Sequence, residues 1–343
     1  MSVQTNHGTV KFHQTWRMAG RSFCIETGNA LSARLVQWLL AGYQATPLDH
    51  LPDRPDYRLR VRRGRPVSLP PDIRLRQETA DWRCLTNGRS VWYELDDSLV
   101  IAHADPAAGI EVLLSEHLRG RHQEALGRIF GCALQLAMQR CGLYFLHAAG
   151  IVAPESGSGA LLIGASGSGK STLTMRLAAS GWQYLSDDLL LLDDRPQQVT
   201  AYGLRRRFAI TAQTLTAFDL PQMTALPESN PPHPLPKHWL EPEQVFSGKR
   251  VEACVPRALL FPRLTGQPLS RVERMTPREA LLELLNGAPL ASLEARTARA
   301  WFSALARLTR QATAWRLLAG SDLLTDPARA AGLITETLNR SSA

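Results

Sequence analysis

Ala160-Leu161-Leu162-Ile163-Gly164-Ala165-Ser166-Gly167-Ser168-Gly169-Lys170-Ser171-Thr172 is a short apolar run feeding a glycine-rich turn with the spacing G-x-x-x-x-G-K-[ST]. Glycines allow consecutive backbone N–H groups to turn inward on an anion, and a helix starting at the end of the turn adds its positive N-terminal dipole. The following KSTLTMRLAA stretch (170–179) has the pattern of that helix, with Gly181 as its stop. In this arrangement Gly164, Ala165, Ser166, Gly167, Ser168, Gly169, Lys170, Ser171 and Thr172 cradle a nucleoside triphosphate. Lys170 reaches the β- and γ-oxygens and the Ser171 hydroxyl ligates Mg²⁺, so a nucleoside triphosphate with Mg²⁺ is the expected ligand.

Strands are expected at 144–152, at 160–163 leading into the turn, and at 184–192 after its helix, which together describe an α/β nucleotide-binding core. A glycine turn of this type serves motors, switches and kinases alike, so the class must come from its surroundings. Asp187-Asp188 lies on the strand expected after the helix. Side chains of adjacent strand residues point to opposite faces, but at a strand's C-terminal end both can border the phosphate pocket. One carboxylate would then hold Mg²⁺ and the other accept a proton from an attacking hydroxyl. The second acidic pair, Asp193-Asp194, precedes Arg195-Pro196 and reads as a turn. His147 sits in an apolar strand. It is either a hydrogen-bonded core residue or a group that touches the Asp187-Asp188 pair and tunes it.

Leu146-His147-Ala148-Ala149, the glycine turn, and Tyr184-Leu185-Ser186-Asp187-Asp188 resemble, in order and spacing, the HPr kinase/phosphorylase family. More narrowly, they are similar to HPr-kinase-related proteins, which include serine kinases of lasso-peptide precursors. The resemblance spans about residues 120–335 and is concentrated in 144–192. It implies an α/β fold with a P-loop kinase core like that of HPr kinase and phosphoenolpyruvate carboxykinase, with ATP and Mg²⁺ as cofactors; the preceding residues, which it does not cover, read from their short strand-like runs as a smaller β-rich N-terminal α+β domain. It also implies that Asp187 is the general base, Asp188 a metal partner beside Ser171, His147 a support for the carboxylates and Lys170 a phosphate ligand. Two departures stand out. Thr172 occupies a position where Glu is usual, and Tyr202-Gly203-Leu204-Arg205-Arg206-Arg207-Phe208-Ala209-Ile210 replaces the family's R-G-x-G-I-I-N-V type segment. HPr itself is therefore not the expected substrate. The expected activity is ATP-dependent phosphorylation of a serine hydroxyl in a peptide or small protein. The alternatives are a small-molecule kinase or a nucleotide-regulated ATPase switch. The related kinases often assemble, so a homo-oligomer is a candidate state.

The 343 residues allow two domains, and 44% apolar content supplies a core for each. The expected division is 1–115 and 116–343, with a long amphipathic helix at 116–141 as connector and a Pro-rich loop at 227–242. Before it, Asn87-Gly88 marks a hairpin turn, and Leu31, Leu35, Trp38 and Leu39 set an apolar helical face at 30–42. After it, a strand is expected at 255–262, a helix capped by Thr276-Pro277-Arg278-Glu279, a second helix at 294–310, a strand at 315–318 and a last helix opened by Asp326-Pro327. No apolar run reaches membrane-spanning length and the N-terminus lacks a secretory core, so a cytoplasmic protein without a membrane partner is expected. The five scattered cysteines read as reduced core thiols without metal spacing. The net charge of +8 collects in runs such as Arg58-Leu59-Arg60-Val61-Arg62-Arg63. Alternate arginines there form the solvated face of a strand, nucleic acid is not the expected partner, and an acidic peptide suits the charge equally well. Arg205, Arg206, Arg207, Lys237 and Lys249 are candidate phosphate or substrate contacts.

Overall fold

The computed structural model describes residues 2–6, 9–50, 54–64, 69–79, 82–95, 97–105, 108–116, 123–218, 228–229, 237–286 and 295–342. They form a mixed α/β protein whose contacts divide into two units, Met1–Cys141 and Gly142–Ala343. No helix among them is long and apolar enough to cross a membrane.

In the first unit β1 (Ser2–Asn6), β2 (Thr9–Met18), β3 (Arg21–Thr27), β4 (Thr46–Leu48), β5 (Tyr57–Arg63), β6 (Arg74–Glu78), β7 (Trp82–Thr86), β8 (Val91–Leu95), β9 (Ser98–Ala102) and β10 (Ile110–Leu114) share one sheet, joined by α1 (Ala30–Leu40) and α2 (Gln123–Arg140). The path is β1-β2-β3-β5-β10-β9-β8-β7-β6, with β4 paired to β2. The Asn87-Gly88 turn joins β7 to β8 as the sequence predicts, with Gly88 in the left-handed region at φ 82°. On β5, Tyr57, Leu59 and Val61 point inward, while Arg58 and Arg60 on the other face pair with Glu26 and Arg62 with Glu111. Two acids on neighbouring strands thus offset part of the arginine run's charge.

Two expectations change here. Helix α1 buries Ser32, Ala33, Val36 and Leu40, and leaves Leu31 57% and Trp38 50% exposed. The inward stripe is rotated from the one the large apolar residues suggest, because small side chains let the helix lie close to the sheet. The helix expected at 116–141 as part of the second domain begins, among described residues, at Gln123, and α2 packs on β5, β8, β9 and β10 of the first unit. Strand register also brings donor atoms of His13, Cys24 and Glu26 within 4.8 Å of one another, a grouping the spacing does not show. The two guanidinium groups already paired with Glu26 oppose a cation there. Cys24, Cys84, Cys132 and Cys254 are buried, and burial pushes the Cys132 and Cys254 thiols up to about 12, which keeps them unreactive.

The second unit runs β11 (Leu143–Val152), β12 (Gly159–Ile163), α3 (Lys170–Ala179), β13 (Gln183–Ser186), β14 (Leu189–Asp193), β15 (Thr200–Gly203), β16 (Phe208–Thr211), α4 (Ala212–Phe218), β17 (Glu228–Ser229), β18 (Lys237–Leu240), β19 (Ala253–Cys254), β20 (Pro256–Leu264), β21 (Arg271–Arg274), α5 (Pro277–Asn286), α6 (Ala295–Gln311), β22 (Thr313–Ala319), α7 (Asp322–Thr325) and α8 (Pro327–Ser342). Its main sheet has the order β19-β15-β14-β11-β12-β20-β22-β21, with β13 also on β11, and β16-β18-β17 form a small separate sheet. One face packs against α5 and α6 through Leu146, Ala148, Leu161, Leu259 and Leu305, the other against α3 and α8 through Ala149, Ile151, Leu162, Leu177 and Ile334. The capping box forms as the sequence predicts: the Glu279 carboxylate accepts from the Thr276 N–H, and the Thr276 hydroxyl accepts from the Glu279 N–H. Asp326 likewise caps α8 through the Arg329 N–H.

Of the Pro-rich stretch, residues 227 and 230–236 lie outside the described residues. Its end is not a loop: 237–240 is β18, followed by a 3₁₀ turn at Pro242–Gln244. Prolines flank β18 without interrupting it, so its ladder with β16 is intact.

On β11, Gly150 lies under Leu185 of β13. A Cβ at Gly150 would sit 3.0 Å from the Leu185 Cβ. Gly150→Val is expected to cost about 1–3 kcal/mol by overpacking, seen as a lower urea midpoint, and Leu185→Ala should cost less in that chain than in the parent, because the Leu185 Cδ atoms also lie 3.3 Å from the added Cβ.

Candidate active site

The turn from β12 to α3 takes its path from two glycines. Gly167 has φ 85° and Gly169 φ 91°, a region where any side chain is strained. The Ser168 N–H closes the turn on the Ala165 carbonyl at 3.2 Å, and the Gly169 carbonyl accepts the Leu173 N–H as α3 begins at Lys170. Gly169 caps α3 without a side chain of its own, which leaves the helix start open toward an anion.

Lys170 is buried, and three acceptors surround its ammonium: the Gly164 carbonyl at 2.6 Å, the Ala165 carbonyl at 3.1 Å and His147 Nε2 at 3.2 Å. An ammonium only donates, so Nε2 must offer its lone pair and the imidazole proton resides on Nδ1. That nitrogen stands 3.1 Å from Asp188 Oδ1. Lys170, His147 and Asp188 therefore form a continuous polar chain from the phosphate turn to a carboxylate whose side chain is 31% exposed.

What places Asp188 there is a break in a strand. The sequence predicts one strand over 184–192, whereas β13 ends at Ser186 and β14 starts at Leu189, both antiparallel to β11. His147 pairs with Leu189. In an uninterrupted ladder Asp188 would share a face with Ala148 and turn away from His147. Leu185 and Leu190 belong to the same core face although five positions apart, because the ladder with β11 slips by one residue between Gly150 and Ile151, opposite Leu185, while the register from Ser186 to Asp193 is the same on both sides of the bend at Asp187-Asp188. Asp187 points into the protein at 0% exposure, and its Oδ2 accepts the Ala209 N–H of β16 at 3.2 Å.

A second tie runs between α3 and β16-α4. Thr214 Oγ1 lies 2.9 Å from Thr172 Oγ1 and 3.1 Å from Thr211 Oγ1. Further along α3, Arg176 donates to the Ala217 carbonyl at 2.9 Å and lies over the Phe218 ring. The Thr211–Thr214 hydroxyl pair has no sequence signal, being brought to Thr172 from 42 residues away by the tertiary fold. The position occupied by Glu in the resembling family thus serves here as a hydroxyl contact.

Not every candidate residue gathers at the turn. Arg205, Arg206 and Arg207 are in the link between β15 and β16, not on a strand. Arg205 lies over Trp239 of β18, and Arg207 pairs with Glu241 at 3.4 Å. Lys249 donates to the Gly181 carbonyl beyond the C-terminal end of α3, a helix about 15 Å long. It is therefore at the far end of α3 from the phosphate turn. The Lys237 side chain lies outside the described residues, although its backbone is in β18.

The donors present suit a polyphosphate and a hard cation. Glycines at positive φ, an open helix start and a lysine fit the anion, and the Ser171 hydroxyl and Asp188 carboxylate offer the oxygen ligands Mg²⁺ prefers.

Among solved structures, the chain is similar to the Hpr(Ser) kinase/phosphatase from Coxiella burnetii, at 14% identity and a TM-score of 0.30, over 58% of this chain and 99% of that one. No known family profile matches the chain, and no curated protein does.

The threonine tie is measurable by itself. Thr172→Val and Thr214→Val should each destabilise the protein, and the double variant should lose less than the sum by about 0.5–1.5 kcal/mol in thermal or urea unfolding, since one shared hydrogen bond is counted twice.

Proposed function

We propose that the second unit is an ATP-dependent kinase that transfers a phosphoryl group to a hydroxyl, with the serine of a peptide or small protein as the favoured acceptor. The Lys170–His147–Asp188 chain at the mouth of the glycine turn carries this reading. It puts an anion grip and an accessible proton acceptor in one connected unit, which phosphoryl transfer to an alcohol needs and simple nucleotide binding does not.

In this mechanism the backbone amides of the turn and the start of α3 hold the β-phosphate. Lys170 exchanges one or more carbonyl partners for phosphate oxygens, while His147 keeps Asp188 oriented through Nδ1–H. The acceptor oxygen forms a bond to the γ-phosphorus, the bond from that phosphorus to the bridging oxygen breaks, and ADP leaves. The hydroxyl proton passes to Asp188. Bound Mg²⁺, held by Ser171 and phosphate oxygens, would neutralise charge on the transferring group. Asp188 takes the base role that the family resemblance implies for Asp187, in place of the metal role it implies for Asp188, because Asp188 is partly exposed whereas Asp187 is fully buried with its Oδ2 on the Ala209 N–H. Asp187 then acts by holding β16 against the site.

Mass spectrometry of candidate peptides incubated with ATP and Mg²⁺ tests this. The parent should add about 80 Da, one phosphoryl group. Asp188→Asn should lower the rate by about 10²–10⁴, whereas Asp187→Asn, which can still accept the Ala209 N–H, should retain most of it. The reverse order would return the base role to Asp187. ATP hydrolysis that ignores every added hydroxyl acceptor would instead favour a nucleotide-regulated switch.

A further inference from the structure

Resting on the nucleotide reading of the glycine turn, the geometry points to Leu264 as the apolar wall against which the base of the bound nucleotide lies. In the sheet, β12 is flanked by β11 and β20. The β11 flank carries His147 and, through β14, Asp188. Transfer requires the terminal phosphate on that flank. A triphosphate is a linear chain gripped near its middle by the turn, so its nucleoside end leaves on the opposite flank, over the C-terminal end of β20.

Leu264 is the last residue of β20. Its Cδ2 lies 3.6 Å from where a Cβ on Gly169 would be, and the Pro262 carbonyl oxygen stands 3.7 Å from the corresponding position on Gly164. The end of β20 therefore abuts the turn at both its first and last glycine. Residues 258–262 of the same strand are buried, yet Leu264 is 61% exposed. Its position is rigid, since the next residue, Thr265, donates both its N–H and its hydroxyl to the Ala319 carbonyl. The chain beyond continues over the same edge, tied there by the Ser321 N–H to the Gln267 carbonyl at 2.9 Å and the Asp322 N–H to the Pro268 carbonyl at 3.2 Å, and it presents a second exposed leucine, Leu269. A singly exposed leucine is ordinary on a protein surface. One held on a rigid strand end in contact with an anion cradle offers the aliphatic surface on which a flat heterocycle is buried.

The test is a titration of the full chain with Mg-ADP and, separately, with Mg-tripolyphosphate, comparing the parent with Leu264→Asn and with Leu282→Asn. Leu282 is a comparably exposed leucine on α5, across the sheet from α3. Leu264→Asn should weaken ADP binding roughly tenfold and leave tripolyphosphate binding unchanged, and Leu282→Asn should alter neither. An unchanged ADP affinity in Leu264→Asn, or an equal loss for both ligands, overturns the role of Leu264 while leaving the phosphate grip standing. A parent chain that binds neither ligand overturns the nucleotide reading itself.

Discussion

A single strand, β11, organises the second unit because it must pair with β12 on one edge and with both β13 and β14 on the other. Two short strands can share that edge only if the chain between them departs from the ladder, and Asp187-Asp188 is where it does so. The break converts two neighbours, which a regular strand would merely alternate, into groups with different surroundings. One carboxylate is sealed inside on a backbone N–H, and the other meets an imidazole near solvent.

The sealed carboxylate is the costly part of this arrangement. A buried charge is tolerated only where hydrogen bonds replace water, and the Ala209 N–H of edge strand β16 is one such partner. The same strand holds Thr211, which meets Thr214 and through it Thr172 on the first turn of α3. The start of α3 is therefore fastened on one side through hydroxyls and β16 to Asp187, and on the other through Lys170 and His147 to Asp188. By contrast, the exposed arginine pairs of the first unit contribute little each, since water and salt screen them. They suit a strand face that must stay soluble.

Much of the second unit was legible because its signals are local. The glycine turn, the Thr276 capping box, the Asp326 cap and the apolar runs of β11, β12 and β20 depend on residues within one or two turns of chain. The face of α1 was not legible, since Leu31 and Trp38 are larger and more apolar than the Ser32 and Ala33 that go inside. Close packing against a sheet selects size as well as hydrophobicity, and a periodicity count sees only the latter. The strand break was hidden as well, because the apolar residues on either side of Ser186-Asp187-Asp188 lie close enough together to read as one strand.

The sequence by itself determined that a glycine turn lies between a buried strand and a helix, and that two adjacent carboxylates follow that helix within a short stretch of chain, because backbone torsion and apolar burial act over short distances. Only the tertiary structure decided which carboxylate meets His147, which one is withdrawn to Ala209, that Thr214 holds Thr172, and that Lys249 belongs to the far end of α3. Those outcomes depend on strand register and on contacts between segments tens of residues apart, where shifting a pairing by one residue reverses every side chain's direction.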